Sequence, residues 1–325
     1  MKQLTASVTG ATGFLGRHLV EYLLRRDLRV KILTRNVAAI PPDFLKQGVL
    51  VVEGKLSDRD ALASFILDAN WVFHLAAEIK RPELMNTTNV DGTKNLLEAI
   101  REFPINRFIY LSSAGVYGQN CPIFIDEKSP CKPLNPYEKT KFEAELMVWD
   151  YFRNFKVPVS VLRPTNIFGE GKDNPADSFY RLLKAIKQQK YFLLNRGEGI
   201  ANYIYVKDVA SALIALAENE KALGECFLIN DETTIEDFSE KAKECLGVSY
   251  KNFSMSFKPV LYASSFLSRL VPCGCPLTPA RVRALCSPHH YSSRKIREQL
   301  GFTYVYGLSE GLKRTVLWLE AKGWL

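Results

Sequence analysis

A glycine-rich turn near the N-terminus constrains the fold more than any other feature of this chain. Residues 4–9 (LTASVT) have the apolar character of a short buried strand, and residues 17–26 have the apolar spacing of a helix. Gly10 permits a tight turn between them, Gly13 would let the backbone approach a pyrophosphate, and Gly16 would let the helix pack closely on the strand. Since a helix N-terminus carries partial positive charge, this order predicts a phosphate-binding turn that opens a βαβ unit.

Strands and helices alternate through the first half of the chain. Residues 29–34 supply the second strand of the unit, and further apolar strands are predicted near Val49, Trp71, Phe108 and Val159. This rhythm is typical of a parallel sheet covered by helices on both faces. Taken alone, the glycines would also fit a plain turn.

Length and composition favour one large α/β unit with a smaller lobe. The 325 residues are 47% hydrophobic, enough to bury a sizeable core. We predict a dinucleotide-binding domain from residues 1–165 and about 203–231, and a substrate-binding lobe from residues 166–202 and about 232–325. The polar segment 166–196 is expected to leave the sheet and cover the site.

Tyr137 and Lys141 lie four residues apart, directly after Asn135 and Pro136, a pair suited to cap and begin a helix. Four residues is about one helical turn, so the phenol and the ammonium project from the same face. An ammonium beside a phenol favours the phenolate and lowers a pKa that is ordinarily about 10. The pair is a candidate acid/base device, although the spacing alone also fits an ordinary amphipathic helix.

Two serines follow the apolar strand at residues 107–111. Ser112 and Ser113 therefore lie at a carboxyl end of the predicted sheet, where doubly wound folds bind ligands. A hydroxyl at this place can hydrogen-bond a substrate oxygen and share the proton that Tyr137 exchanges. The alternative is that both serines only stabilise the turn through local hydrogen bonds.

The order of these features resembles the extended short-chain dehydrogenase/reductase family, which includes nucleotide-sugar epimerases and dehydratases. The resemblance is specific from residue 2 to about residue 208 and looser beyond. It rests on the segments TGATGFLG (residues 9–16), HLAA (74–77), NVDGT (89–93), LSSAGVYG (111–118), YEKTK (137–141), LRPTNIFG (162–169) and YIYVKDVA (203–210). It implies a doubly wound, Rossmann-like parallel sheet with a smaller C-terminal substrate-binding lobe.

The resemblance also implies a division of roles. Tyr137 would be the general acid/base, Lys141 would lower its pKa and hydrogen-bond the nicotinamide ribose, and Ser113 would orient the substrate oxygen. Hydride would pass between a substrate carbon and the nicotinamide. Asn89 would steady the loops that face the cofactor, and a helix cap is an equal alternative for it.

The predicted site divides into a cofactor part and a substrate part. The cofactor residues are Gly10, Thr12, Gly13, Phe14, Leu15, Gly16, Thr34, Arg35, Lys55, Leu56, Leu75, Ala76, Ala77, Asn89, Leu111, Tyr137, Lys141, Pro164, Thr165 and Ile167. The substrate residues are Ser113, Ala114, Asn166, Arg181 and Arg283.

The charge at the end of the second strand indicates the cofactor. Relatives that prefer NAD carry an acidic residue there, whereas this chain has Thr34 and then Arg35. Arg pairs with a 2′-phosphate that a carboxylate would repel, so we predict NADP(H), with NAD possible. The alternative is that Arg35 is merely solvated. Lys55 stands where relatives usually carry an Asp for the adenine amino group, and Lys cannot accept that hydrogen bond.

The substrate is less constrained. Nucleotide-sugar epimerases often carry an arginine for the diphosphate just before the segment at 203–210, where this chain has Ala201 and Asn202. A sugar nucleotide is the first prediction, narrowly, and Arg181, Lys184, Arg281 or Arg283 would replace the missing arginine from the smaller lobe. The second is an apolar ketone or alcohol, such as a hydroxysteroid or dihydroflavonol, which the apolar residues 259–271 would suit.

Two further alternatives concern the reaction. Ala114 and Gly115 stand where family dehydratases carry an Asp-Glu pair, which disfavours 4,6-dehydration and leaves epimerase and ketoreductase open. A non-catalytic dinucleotide-binding regulator would need the glycine turn but no proton donor. Retention of Ser113, Tyr137 and Lys141 together argues against it.

Charge and cysteine content limit the kinds of ligand and the cellular compartment that fit this chain. A formal charge of +8 suits anionic ligands, and no basic run interleaved with aromatics predicts nucleic-acid binding. Seven cysteines without a repeating framework and the lack of a signal segment predict a reducing cytoplasm. No apolar run is long enough to span a membrane. Cys273, Cys275, Cys286, His289 and His290 fit no familiar zinc spacing, so no metal is predicted.

The family resemblance finally predicts the oligomeric state. In many relatives two helices equivalent to residues 88–101 and 136–155 form a four-helix contact between subunits. A homodimer is therefore expected from the resemblance, and the residues themselves do not exclude a monomer.

Overall fold

The computed structural model describes residues 3–119, 121–270 and 279–325. Its strands are β1 Thr5–Thr9, β2 Arg29–Thr34, β3 Leu50–Glu53, β4 Trp71–His74, β5 Arg107–Leu111, β6 Phe124–Ile125, β7 Val159–Pro164, β8 Asn166–Phe168, β9 Leu193–Leu194, β10 Ile200–Tyr205, β11 Cys226–Ile229, β12 Asp231–Thr234, β13 Ser254–Met255 and β14 His290–Tyr291.

Helices lie between most of these strands. They are α1 Phe14–Leu24, α2 Pro42–Lys46, α3 Arg59–Ile66, α4 Pro82–Met85, α5 Gly92–Ile100, α6 Pro136–Phe155, α7 Ser178–Lys187, α8 Val206–Glu218, α9 Ile235–Leu246, α10 Phe257–Leu270, α11 Pro279–Leu285, α12 Arg294–Leu300 and α13 Gly307–Ala321. A π-helical stretch, Asn86–Asp91, joins α4 to α5 without a break.

Within the described residues, the main sheet has seven parallel strands in the order β11-β7-β5-β4-β1-β2-β3. The chain builds outward from β1 to β3, crosses back to β4 and continues to β11. The direction of winding therefore changes between β1 and β4, which is where such sheets bind ligands. The predicted doubly wound, Rossmann-like α/β fold is confirmed, with strands at each of the predicted positions.

A second sheet of three strands, β12-β10-β8, lies apart from the main one. Tyr203, where we expected the chain to return to the main sheet, lies in β10 and pairs with β8 and β12. The chain returns to the main sheet only at β11, which follows α8, and α8 packs against α1. The division into two lobes stays a prediction.

Helix α6 begins as its sequence predicts. The Asn135 side chain accepts a hydrogen bond from Glu138 N (2.9 Å), and the Glu138 carboxylate accepts one from Asn135 N (3.3 Å), which forms a capping box with Pro136 at the first helical position. The helix spans Pro136–Phe155, the range predicted from the sequence. Its first turns therefore present Tyr137 and Lys141 from a fixed start.

None of the helices in the described part of the chain is long and apolar enough to cross a membrane. The apolar stretch at 259–271 falls largely on α10, which spans Phe257–Leu270, and Val271 lies outside the described residues.

Candidate active site

The glycine turn after β1 is tightly packed by backbone. Gly10 has φ +71°, and a Cβ there would lie 2.8 Å from the Ala76 nitrogen. A Cβ at Gly16 would overlap the Gly10 carbonyl oxygen and lie 2.7 Å from the Ala11 Cα. Gly13 donates from its nitrogen to that same oxygen at 3.0 Å. The turn is therefore fixed in the shape that the sequence predicted.

The N-terminus of α1 is suited to an anion. Gly13 caps the helix without a side-chain hydrogen bond, and no residue in the described first turn is acidic. Arg17, which we did not select from the sequence, donates from Nε to the Thr12 carbonyl oxygen at 3.0 Å. Its guanidinium adds positive charge beside the turn, so a bound pyrophosphate fits the residues present.

His74 at the end of β4 ties the turn to the neighbouring helix. The Thr93 hydroxyl donates to the Asn89 carbonyl (2.6 Å) and so accepts from His74 Nε2 (2.9 Å). His74 Nδ1 in turn accepts from Thr9 Oγ1 (2.7 Å), which itself accepts from Ala76 N (3.2 Å). Burial lowers the pKa of His74 to about 3, so the ring is neutral and its tautomer is assigned by these partners.

Asn89 fastens the loop after β4 to α6. Its Oδ1 accepts from Glu78 N (2.7 Å), and its Nδ2 donates to the Glu78 carbonyl (3.1 Å) and to Thr140 Oγ1 (3.0 Å). The residue is buried inside the π-helical stretch, so it does not cap a helix. The geometry matches the steadying role that we weighed against a cap.

Tyr137 and Ser113 meet at the carboxyl edge of the sheet. Ser113 Oγ accepts a hydrogen bond from Gly115 N (3.0 Å) at the start of a 3-10 turn, and the serine lies close enough to the phenol to lower its pKa. Burial raises the pKa of Tyr137, and this effect of Ser113 opposes the rise without cancelling it. The phenol is therefore protonated at neutral pH.

Lys141 does not lower the Tyr137 pKa as we expected. The lysine is only 3% exposed, and burial lowers its own pKa to about 7, against the opposing charge of Glu145. Its ammonium lies 4.1 Å from the centroid of the Tyr110 ring, in a cation–π contact, and has no hydrogen-bond acceptor within the described part of the chain. A lysine that is only partly protonated near neutrality exerts little field on the phenol.

Beneath Lys141 lies a buried ion pair that the sequence did not single out. Arg163 on β7 donates from Nε to Glu145 Oε2 (3.1 Å) and from a second nitrogen to Oε1, a bidentate contact. The same carboxylate accepts from Ser112 Oγ and from Trp149 Nε1 (3.2 Å), and Arg163 also donates to the Tyr117 hydroxyl (2.7 Å). The pair joins β7, α6 and the loop that carries Ser113.

Most of the predicted cofactor residues lie at or just after the carboxyl ends of parallel strands, whereas Asn89 lies in the π-helical stretch, Ile167 on β8, and Tyr137 and Lys141 on α6. Those at the ends of β1, β2, β3, β4, β5 and β7 share one edge of the sheet because the strands run the same way. Thr34 is buried and its hydroxyl donates to the Asn36 carbonyl (3.1 Å), whereas Arg35 and Lys55 are exposed. Leu15 is different, because its side chain packs in the hydrophobic core and only its backbone faces the turn.

The predicted substrate residues are more scattered. Ala114 is buried among apolar neighbours, and Asn166 donates from Nδ2 to the Asn202 carbonyl (3.0 Å). Arg181 on α7 and Arg283 on α11 are exposed. Lys184 donates to the Trp324 carbonyl (3.2 Å), which turns it toward the C-terminus, and the Arg281 side chain lies outside the described residues.

Asn202 occupies the place of the missing arginine. Its Nδ2 donates to the His289 carbonyl (2.9 Å), and its Oδ1 accepts from Asn230 Nδ2 (2.7 Å). The Asn230 Oδ1 accepts from the Thr165 hydroxyl (2.7 Å). The side-chain amides of Asn202 and Asn230 form hydrogen bonds that join the two sheets, and neither supplies a positive charge at this position.

Two residues weighed as part of a metal cluster, His289 and His290, contact other groups. His290 Nδ1 lies 3.1 Å from Glu232 Oε1, and His289 Nδ1 lies 3.0 Å from the Pro122 carbonyl oxygen. Cys273 and Cys275 lie outside the described residues.

Comparison with known proteins identifies the family. Residues 6–229 match the model of the NAD dependent epimerase/dehydratase family. The chain belongs to this family. The resemblance inferred from the seven sequence segments is thereby confirmed, and the protein is an NAD(P)-dependent enzyme of the epimerase/dehydratase type.

Two curated relatives and one solved structure represent its neighbours. The chain is 29% identical to the 3beta-hydroxysteroid-dehydrogenase/decarboxylase isoform 1 of Arabidopsis thaliana, over 95% of this chain and 78% of that protein. It is 27% identical to a putative UDP-glucose 4-epimerase of Methanocaldococcus jannaschii, over 96% and 97%. The UDP-glucose 4-epimerase of Thermotoga maritima, solved with UDP-glucose, shares the fold with a TM-score of 0.77 at 24% identity, over 98% and 99%.

Proposed function

We propose that this epimerase/dehydratase-family enzyme transfers hydride reversibly at a secondary alcohol or ketone, with Tyr137 as the general acid and base. The observation that carries the proposal is the closeness of Ser113 to the Tyr137 phenol, one helical turn from the buried Lys141. Bound NAD(P) would accept or donate the hydride. In reduction, Tyr137 gives its proton to the substrate oxygen that Ser113 holds, and in oxidation it takes that proton back.

The chain supplies separate groups for each end of the cofactor. The turn at Gly10, Gly13 and Gly16 would hold the pyrophosphate through backbone N–H groups. Lys141, whose ammonium has a cation–π contact but no acceptor among the described residues, would donate to the hydroxyls of the nicotinamide ribose. That bond would also favour the charged lysine, and hence the phenolate needed for oxidation.

Tyr137→Phe tests the proton relay. We expect turnover to fall by about a hundredfold or more while cofactor affinity is kept. Tyr151→Phe makes the same chemical change at a buried position further along α6 and should leave turnover intact. Equal turnover in Tyr137→Phe and the native protein would remove Tyr137 from the mechanism.

We propose NADP(H) as the preferred cofactor, with NAD possible. Thr34 is committed to the turn, so Arg35 is the exposed side chain at the end of β2. The test is the Kd for NADPH and NADH at one ionic strength, in the native protein and in Arg35→Asp. Arg25→Asp, at the far end of α1, is the control. Equal affinities in the native protein would contradict the proposal.

A sugar nucleotide is the substrate class we propose first. It is supported by the similarity to a putative UDP-glucose 4-epimerase and by the formal charge of +8, which suits a diphosphate. Exposed cations such as Arg181 or Arg283 would have to supply the diphosphate contact. The Ala114-Gly115 pair continues to disfavour 4,6-dehydration.

An apolar alcohol or ketone is the second candidate, and Asn202 is the observation that favours it. This amide is buried in the bonds that join the two sheets, at the place where a diphosphate-binding arginine would stand. The relative named as a 3beta-hydroxysteroid dehydrogenase/decarboxylase supports the same class.

One measurement separates an epimerase from a reductase, and a second separates a sugar nucleotide from an apolar ketone as the substrate. An epimerase must keep its nicotinamide through the reaction, so purified protein should carry it, whereas a reductase must release it. Saturation-transfer NMR against UDP-sugars and a panel of steroid ketones then reports which class binds. If steroid ketones bind and UDP-sugars do not, the sugar-nucleotide proposal is wrong.

Cytoplasmic location remains a proposal. It is supported by the cysteines in the described part of the chain, Cys121, Cys131, Cys226, Cys245 and Cys286, which are all free thiols. Alkylation of the protein in intact cells, read by mass spectrometry, would test it. Recovery with these cysteines oxidised in disulfides would contradict a reducing compartment.

A further inference from the structure

Helix α10 carries a row of exposed side chains. Lys258, Tyr262 and Phe266 recur every four residues and so lie along one face of the helix. Tyr262 is 75% exposed and Phe266 is 65% exposed. The opposite face is packed, since Val260 is buried against Leu194 and Val282. The helix is therefore held to the protein by one side and presents aromatic rings on the other.

A third exposed aromatic side chain lies shortly before α10 in the chain. Phe253, next to β13, is 67% exposed. The Phe257 nitrogen donates to Asn195 Oδ1 (2.9 Å), which anchors the connection between strand and helix. We call Phe253, Tyr262 and Phe266 the aromatic face. Large exposed apolar side chains gathered on one segment mark an interaction surface more often than scattered ones do.

The stretch of sequence that carries the aromatic face is basic. Residues 245–297 contain eight lysines and arginines and no Asp or Glu. The remaining 35 Lys and Arg residues equal the 35 acidic residues of the chain, so this segment carries the whole formal excess of +8. Lys251 and Lys258 are exposed and lie within four residues of an aromatic residue of this face in the sequence. Positive charge in this segment favours an anionic partner over a basic one.

We propose that the aromatic face docks the protein onto an anionic lipid bilayer. Tyr and Phe rings favour the boundary between headgroups and acyl chains, where their apolar bodies leave water. Lysines beside them attract anionic headgroups, and an interfacial helix needs both contributions. This docking is independent of the reaction proposed above.

Vesicle co-sedimentation tests the proposal with the full chain. The probes are vesicles of phosphatidylcholine alone and vesicles with about one third phosphatidylglycerol. The native protein should bind the anionic vesicles at least about fivefold more than the neutral ones, and about 0.5 M salt should weaken that binding. Tyr262→Ser/Phe266→Ser should reduce binding to the anionic vesicles at least about fivefold.

Matched controls keep the result specific. Leu317→Ser removes an equally exposed apolar side chain from α13 and should bind vesicles like the native protein. Cofactor affinity should be unchanged in both variants, which shows that they are folded. No preference of the native protein for anionic vesicles would overturn the proposal. Unchanged binding by Tyr262→Ser/Phe266→Ser would overturn it too, and would leave an acidic protein or the substrate as the occupant of this face.

Discussion

At the scale of single residues, Lys141 is buried where its charged form is disfavoured. Its pKa falls to about 7 because the ammonium is buried, although Glu145 opposes the fall. Between that value and the ordinary value of 10.5, the unfolded chain holds a proton that the folded chain has lost. The free energy of unfolding therefore rises with pH between about 7 and 10.5. Below pH 7 the buried ammonium destabilises the fold by a constant amount.

Lys141→Met is expected to stabilise the protein while abolishing turnover. At pH 6 its free energy of unfolding should exceed that of the native chain by on the order of 1 kcal/mol or more. The difference should shrink as pH rises from 7 toward 10, because the native lysine is then neutral when folded. Urea unfolding of both proteins at each pH measures this. A methionine variant less stable than the native chain at pH 6 would contradict it.

The buried pair of Glu145 and Arg163 gives a second residue-scale prediction. Glu145→Met leaves the Arg163 guanidinium buried without its carboxylate, which should cost about 3 to 5 kcal/mol. Glu145→Met/Arg163→Met removes both charges and should recover much of that loss. A double-mutant cycle in urea measures the coupling. If the double variant is less stable than the single one by the full cost of Arg163→Met, the pair is not coupled as described.

The sequence predicted the reactive residues better than their supports. Tyr137, Lys141 and Ser113 follow spacings that chemistry requires, so a single chain reveals them. Glu145 lies one turn beyond Lys141 on α6, and that spacing was the one available signal. Its partner Arg163 lies on a different strand, and which buried charges meet is decided by tertiary packing.

At the scale of elements, the glycine turn and α1 act as one unit. Gly16→Ala would place a Cβ against the Gly10 oxygen and the Ala11 Cα, both backbone atoms that cannot give way. We expect it to destabilise the fold by several times the roughly 1 kcal/mol of Gly48→Ala, a change that meets strain at φ +78° but no contact within 4 Å. Thermal unfolding compares the two. Equal losses would show that α1 is not packed this closely.

Element boundaries followed the sequence where the signal is local. The second strand and α6 have their predicted bounds, because a turn, a cap and an apolar run mark each of them. The π-helical stretch at Asn86–Asp91 was missed, since one extra residue in a helical turn leaves the apolar spacing nearly unchanged. The pairing of β10 with the second sheet was missed because alternation shows that a segment is a strand and not which strand it joins.

At the scale of the whole molecule, α5 and α6 pack together and α6 leaves Leu146 49% exposed. We propose that these helices form a homodimer contact, as the family resemblance implies. Light scattering on a sizing column should give a dimer for the native chain and a monomer for Leu146→Asp. Leu317→Asp, on α13, should remain dimeric. A native monomer, or an unchanged dimer in Leu146→Asp, would contradict this surface.

The central claim is that one edge of the sheet joins the glycine turn to the phenol of Tyr137. A crystal structure with NADP⁺ tests it most directly. We expect the pyrophosphate at Gly13, the Lys141 ammonium on the nicotinamide ribose, and the nicotinamide ring beside the Tyr137 and Ser113 oxygens. A nicotinamide ring bound away from Tyr137, with the phosphates elsewhere than the turn, would contradict the account.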